Sequence, residues 1–360
     1  MTSTRTKPEL HRRILRSLTA LEVMLLPVGL FAQAAPVIIG GGYHNPDAFQ
    51  VAGGQVITIF LRAAQTLLPL YSPVGTAYRF VIADSVPLPL TLAGFSARVQ
   101  MAIVSGSFHD LAPAPIFAVQ QLPICLDTLV NPGPAPPATP ECWVTAITLQ
   151  VPFSVQPRRP FSITIPSYRL VVSEGKTDST SVLLNVSQAN IHFVTGCDQL
   201  GLNNAYNRAD LQAVGPPCRA MATHADGSLI GEDSPAKPGE VIVLYAYGMG
   251  LTSPDPPSAG SLTPIPAPQI RTSLAVQFDF RPSAGPSVPQ VDLKDTSPSP
   301  VLFAGLAPGQ VGLYQINVKL PDIFPPVPKC SFSNLTININ PNPFGTTSFD
   351  GAQVCVAPGQ

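Results

Sequence analysis

The second half of this chain restates the first. Gly54 opens the run "GQVITIF" and Gly239 opens "GEVIVLY", while "TAITLQVP" at 145–152 answers "YQINVKLP" at 314–321. The four runs either alternate apolar with polar positions or carry β-branched and aromatic side chains, as strands do. Each pair sits at a comparable place in its own half, and one insertion accounts for the longer spacing in the first. Self-similarity of this kind marks a duplicated unit, and here the unit is built of strands.

At 360 residues the chain is long enough for two domains with separate cores. Charged residues are 11% and the mean hydropathy is +0.25, which suits strands with apolar inner and Ser/Thr/Gln outer faces better than salt-bridged helices. The 43 prolines and 27 glycines supply turns at the spacing of an antiparallel sandwich. The predicted fold class is therefore all-β, two tandem immunoglobulin-like antiparallel β-sandwich domains at 35–190 and 238–360. A connecting region at 191–237 holds one helical turn near 203–213. Residues 36–54 read as a glycine-rich lead, "SEGKTDSTS" at 173–181 as a hairpin tip, and 257–268 as a proline-rich loop.

Residues 1–34 carry the pattern of a signal peptide. Arg5, Lys7, Arg12, Arg13 and Arg16 precede an apolar run at 18–31, and Ala32-Gln33-Ala34 offers a small-x-small cleavage site. Removing its five basic and two acidic residues from totals of 20 and 21 leaves 15 against 19, a net charge of −4 with no basic cluster. Nucleic acid is a poor partner for such a surface. No later stretch is apolar for long enough to serve as a transmembrane anchor once the signal is cleaved, so the predicted destination is secreted or cell-surface.

Six cysteines, all beyond the signal, predict three disulfides in an exported chain. Pairing in order joins Cys125 with Cys142 around the proline-rich insertion, Cys197 with Cys218, and Cys330 with Cys355. Each loop of this length stabilises by about 3 kcal/mol. Zinc is disfavoured, since no CxxC or clustered His spacing occurs.

The stretch "ATHADGSLIGEDSPAKPGEVIVLYAYGMG" at 222–250, followed by "PVLFAGLAPGQVGLYQINVKLP" at 300–321, resembles the uncharacterised C-terminal domain that recurs in exported proteins of Solibacter-type acidobacteria. The first half looks like a diverged relative, with Ala63 and Ala64 where the second has Gly248 and Met249. The resemblance implies a bacterial, exported immunoglobulin-like sandwich and carries no catalytic or ligand residue.

Chemistry-bearing residues are sparse. His44, His109, His192 and His224 remain after processing, and neither GxSxG nor HExxH is present. His224 and Asp226 would share a strand face, while His109 and Asp110 would oppose each other. Asp226, Glu232 and Asp233 gather oxygen ligands without matching a known calcium loop. Trp143, Tyr245 and Tyr247 are the candidates for stacking on a sugar, although Trp143 also suits a sandwich interior. Asn185 and Asn334 head glycosylation-type triplets that read as ordinary strand residues in a bacterial host. No catalytic residue and no cofactor is expected. The predicted role is adhesion or another extracellular interaction with a protein, with polysaccharide binding as the alternative and hydrolysis as a third possibility.

Overall fold

The computed structural model describes residues 35–41, 49–71, 78–103, 106–123, 142–157, 166–195, 198, 219–283, 300–341 and 351–358. The expected signal peptide, the helical turn at 203–213, and Cys125, Cys197 and Cys218 lie outside the described residues. Among the described residues the chain is all-β, with no α-helix.

Four sheets pair into two sandwiches. In the first, one sheet runs from edge to edge as β1 (Val37–Gly41), β3 (Val56–Arg62), β10 (Trp143–Gln150), β9 (Ile116–Pro123), β5 (Tyr78–Ile82) and β4 (Leu70–Tyr71). Facing it are β2 (Gln50–Val51), β13 (Val182–Val186), β11 (Pro166–Glu174), β7 (Phe95–Ile103) and β6 (Thr91–Leu92). Two short strands extend this second sheet, β12 (Thr177–Asp178) beside β11 and β8 (His109–Pro113) beside β7. The other sandwich sets β14 (His192–Phe193), β16 (Val241–Tyr247), β21 (Tyr314–Lys319), β20 (Val301–Leu306), β18 (Gln269–Ile270) and β17 (Thr252–Ser253), with β15 (Ala222–Thr223) on β16, against β19 (Ala275–Asp279), β22 (Leu335–Asn340) and β23 (Gly351–Val354). Among the strands of the described residues β2 and β13 alone pair in parallel, and an isolated parallel bridge joins Ala236 to Val356.

Period-two patterning places the cores. Ile57, Ile59 and Leu61 of β3 meet Val99 of β7 and Leu170 and Val172 of β11 in one buried cluster. Ile242, Leu244 and Ala246 of β16 meet Phe278 of β19 and Ile337 and Ile339 of β22 in the other. Each fully buried Ile or Leu contributes roughly 1.5–3 kcal/mol of transfer free energy, so these stripes hold the sheets face to face.

The repeat seen in the sequence is a repeat of pairing register. Val56 lies opposite Gln150 in β3–β10, and Val241 lies opposite Lys319 in β16–β21. The offsets that align the sequence runs, 185 (239 less 54) and 169 (314 less 145), carry one pair onto the other. Entry into the strand repeats as well: Gln55 accepts the Ala52 N–H through its side chain at 2.8 Å, and Glu240 accepts the Lys237 N–H at 2.8 Å.

Several expectations need amending. Residues 37–41, read as a lead, form β1 against β3, because Val37 and Ile38 give that segment β-propensity despite its glycines. Strand β5 was not anticipated. Strands β14 and β15, within the predicted connecting region, belong to the second sandwich through β16. Cys330 and Cys355 are bonded as expected, with Cα atoms 5.5 Å apart. Cys142 is also disulfide-bonded, to a partner outside the described residues.

The two sandwiches are joined tightly. Gln150, buried at the end of β10, donates from Nε2 to the Gly54 carbonyl at 3.1 Å and accepts the Gly260 N–H of the second sandwich at 2.6 Å. The Gly260 carbonyl accepts the Leu88 N–H at 2.8 Å. A Cβ on Gly260 would lie 3.0 Å from Pro115 and 3.3 Å from Leu88, so the close approach depends on its absence. Between the sandwiches, Asn190 donates its backbone N–H to the Gly248 carbonyl at 2.7 Å and its side-chain amide to the Gln50 carbonyl at 2.6 Å.

Candidate functional site

Among the described residues, one group of side chains has the outline of a hydrolase triad. Nδ1 of His224 hydrogen bonds Glu240 Oε1, and Nε2 lies 3.1 Å from Ser234 Oγ and 3.2 Å from the Ser234 carbonyl oxygen. A carboxylate only accepts, so Nδ1 supplies the hydrogen of the Glu240 bond, whereas Nε2 faces both a carbonyl, which accepts, and a hydroxyl, which can donate or accept. The Glu240 hydrogen bond, opposed by partial burial and aided by the Ser234 contact, holds the His224 pKa above its ordinary value. The raised pKa favours the imidazolium, the form that donates from both ring nitrogens. His224 is a staple tying the segment after β15 to the loop before β16.

The expected partner of His224 has turned away. Residues 225–226 are in a turn, and the Asp226 carboxylate accepts the Ser228 N–H at 2.9 Å and its hydroxyl at 2.6 Å. Glu232 stands 3.9 Å from Arg219, and Asp233 is exposed. These acids do not converge, and among the described residues no three His, Cys, Asp or Glu side chains gather as a metal site would require.

Trp143 is 4% exposed, with the Arg79 guanidinium 5.3 Å from its ring centroid. The ring therefore cannot serve as an open platform. Tyr245 and Tyr247 do share the outer face of β16, both half-buried. Burial, helped by the nearby Asp198 carboxylate, pushes the Tyr247 phenol up to about 12. Asn334 is buried, its amide donating to the Pro328 and Val356 carbonyls at 3.0 and 2.9 Å. It is a structural tie, whereas Asn185 is exposed on β13.

Two constellations were missed from the sequence. His192 Nε2 lies 2.8 Å from Asp198 Oδ2, with side chains 5% and 7% exposed. That carboxylate also accepts the Thr195 N–H at 2.8 Å and its hydroxyl at 2.7 Å. Burial alone would raise the Asp198 carboxyl, but the bonds from His192 and Thr195 outweigh it and lower the pKa.

The second is a polar ladder across the outer face of β12, β11, β7 and β8. Because Phe95, Ala97 and Val99 point into the core, Ser96, Arg98 and Gln100 point out. Arg98 forks to both Asp178 oxygens at 3.1 and 2.6 Å, reaches Ser173 Oγ at 2.8 Å, and donates Nε to Asp110 Oδ1 at 3.0 Å. Gln100 donates to the same Asp110 oxygen at 2.7 Å and accepts from Arg169 Nε at 2.7 Å. The Arg169 guanidinium sits 4.2 Å from the Phe108 ring centroid. Hydrogen bonds from Arg98 and then Ser173 lower the Asp178 pKa, and the bond from Gln100, ahead of Arg98, lowers that of Asp110. The partners of Arg98 and Gln100 lie between 10 and 80 positions from them, and no local spacing announces them.

No protein-family model and no curated protein matches the chain.

Proposed function

We propose that this is an exported, non-catalytic interaction protein made of two immunoglobulin-like sandwiches, with the ladder face of the first as its contact surface. The topology supports the sandwich type. The orders β1-β3-β10-β9 and β7-β11-β13 in one half, and β14-β16-β21-β20 and β19-β22-β23 in the other, follow the A-B-E-D and C-F-G orders of the constant-type immunoglobulin fold. Export rests on the basic-apolar-small pattern of residues 1–34 and on the resemblance to domains of exported bacterial proteins.

The single observation that carries the reading is the ladder: the most extended polar array among the described residues lies on the outer face of a sheet and is held in place by its own hydrogen bonds. Two assays test it. The extracytoplasmic fraction of the producing cells should contain a chain beginning at Ala35. Surfaces coated with that chain should retain cells or shed envelope material, and a panel of ester, peptide and glycoside substrates should show no turnover beyond that of His224→Ala. Turnover abolished by His224→Ala, or a chain confined to the cytoplasm, overturns the proposal.

A further inference from the structure

We infer that the ladder face of the first sandwich binds a neutral, extended polysaccharide chain, an assignment that rests on the interaction-module reading above. Arg98, Asp110, Arg169 and Asp178 are planar polar groups on the outer face of the sheet, tied to one another directly or through the buried Gln100, so little side-chain freedom remains to be lost on binding. Their hydrogen-bonding capacity is only partly used. Asp110 Oδ1 takes two bonds while Oδ2 takes none within the described residues, and the side chain is 64% exposed. Arg169 commits Nε to Gln100, and among the described residues its two terminal nitrogens make no hydrogen bond.

Open acceptors and open donors on one flat face match a ligand whose groups both donate and accept, which is the property of a hydroxyl. The charge balance sets the polymer class. Two guanidinium groups face two carboxylates, so the ladder sums to zero and offers a polyanion or polycation no net attraction. Four strands at about 4.8 Å spacing give the face a width of about 14 Å, the footprint of a chain lying across a surface. Phe108, already carrying the Arg169 guanidinium, adds an apolar flank at one end. The sugar site is thus on the face of β7 and β11, away from Trp143, Tyr245 and Tyr247.

The test uses the full exported chain, with sedimentation on insoluble cellulose, chitin and β-1,3-glucan and retardation in gels containing xylan or starch. At least one neutral polymer should retain the protein. Asp110→Ala, Asp178→Ala and Phe108→Ala should each weaken retention about tenfold while leaving the melting temperature within a few degrees, and Asp226→Ala in the second sandwich should change nothing. No retention by any neutral polymer, retention indifferent to all three ladder variants, or retention only by alginate or heparin would each overturn the inference. If coated surfaces still hold cells while the polysaccharides fail, the sugar assignment alone falls; if both fail, the interaction-module reading falls with it.

Discussion

Ala63 and Gly248 occupy the same place in the two repeats, one residue past β3 and β16 respectively. Both adopt left-handed backbone, at φ 62° and 78°. The conformation is free for glycine and costs an alanine roughly 1–2 kcal/mol. Ala63→Gly should therefore stabilise the first sandwich by about 0.5–1 kcal/mol, the gain being trimmed by the greater freedom of glycine in the unfolded chain. Urea titration would read it, and a loss of stability would refute it. The reverse change in the second repeat should do harm, because a Cβ on Gly248 would stand 2.1 Å from the Asn190 carbonyl. His224 gives a pH prediction at the same scale. Its folded pKa is raised, so its contribution is full below the unfolded value of about 6.5 and disappears as pH rises through the folded value. His224→Ala should cost about 2 kcal/mol at pH 6 and much less at pH 9. An equal loss at both pH values would show that the staple is uncharged.

At the scale of elements, the β3–β10 and β16–β21 pairs are the shared frame, and the two repeats differ in what is attached to it. In the second, the last strand is tied to the approach to β22 by Cys330–Cys355, a separation of 25 residues. Closing a loop of this length restrains the unfolded chain by about 3 kcal/mol. Cys330→Ser with Cys355→Ser should lower stability by about that amount, and denaturation with and without reductant should converge in the double variant. In the first repeat, β8 and β12 extend the second sheet and bring Asp110 and Asp178 to either side of Arg98. The corresponding sheet of the second repeat is β19, β22 and β23 alone among the described residues, and it carries no such ladder. Duplication supplied the frame, and the added edge strands supplied the surface chemistry.

For the whole molecule, the decisive contact is Gln150 reaching across to Gly260. Truncating it would leave the Gly54 carbonyl and the Gly260 N–H buried without their partner, at a cost of about 2–4 kcal/mol for the two groups. The intact chain should give one calorimetric unfolding transition, and Gln150→Ala should split it in two as the sandwiches lose their coupling. A single unsplit transition in the variant would place the coupling elsewhere, for instance in the 187–190 crossing held by Asn190.

Much of this architecture could be read along the chain. Strand identity follows from period-two burial, the doubling follows from self-similarity, and the Asp226-Gly227-Ser228 turn follows from residue chemistry, because each is written in neighbours a few positions apart. Strands β1 and β5 were not legible: β1 runs into the glycines at 40–42, and β5 has turn-rich sequence on both sides. The ladder, the His192–Asp198 pair, the exchange of Asp226 for Glu240 at His224, and the Gln150–Gly260 junction were decided only by tertiary structure. Each joins groups whose encounter depends on which strands lie side by side and which loop crosses the seam, and one-dimensional spacing does not encode the direction of a side chain once the sheets have closed.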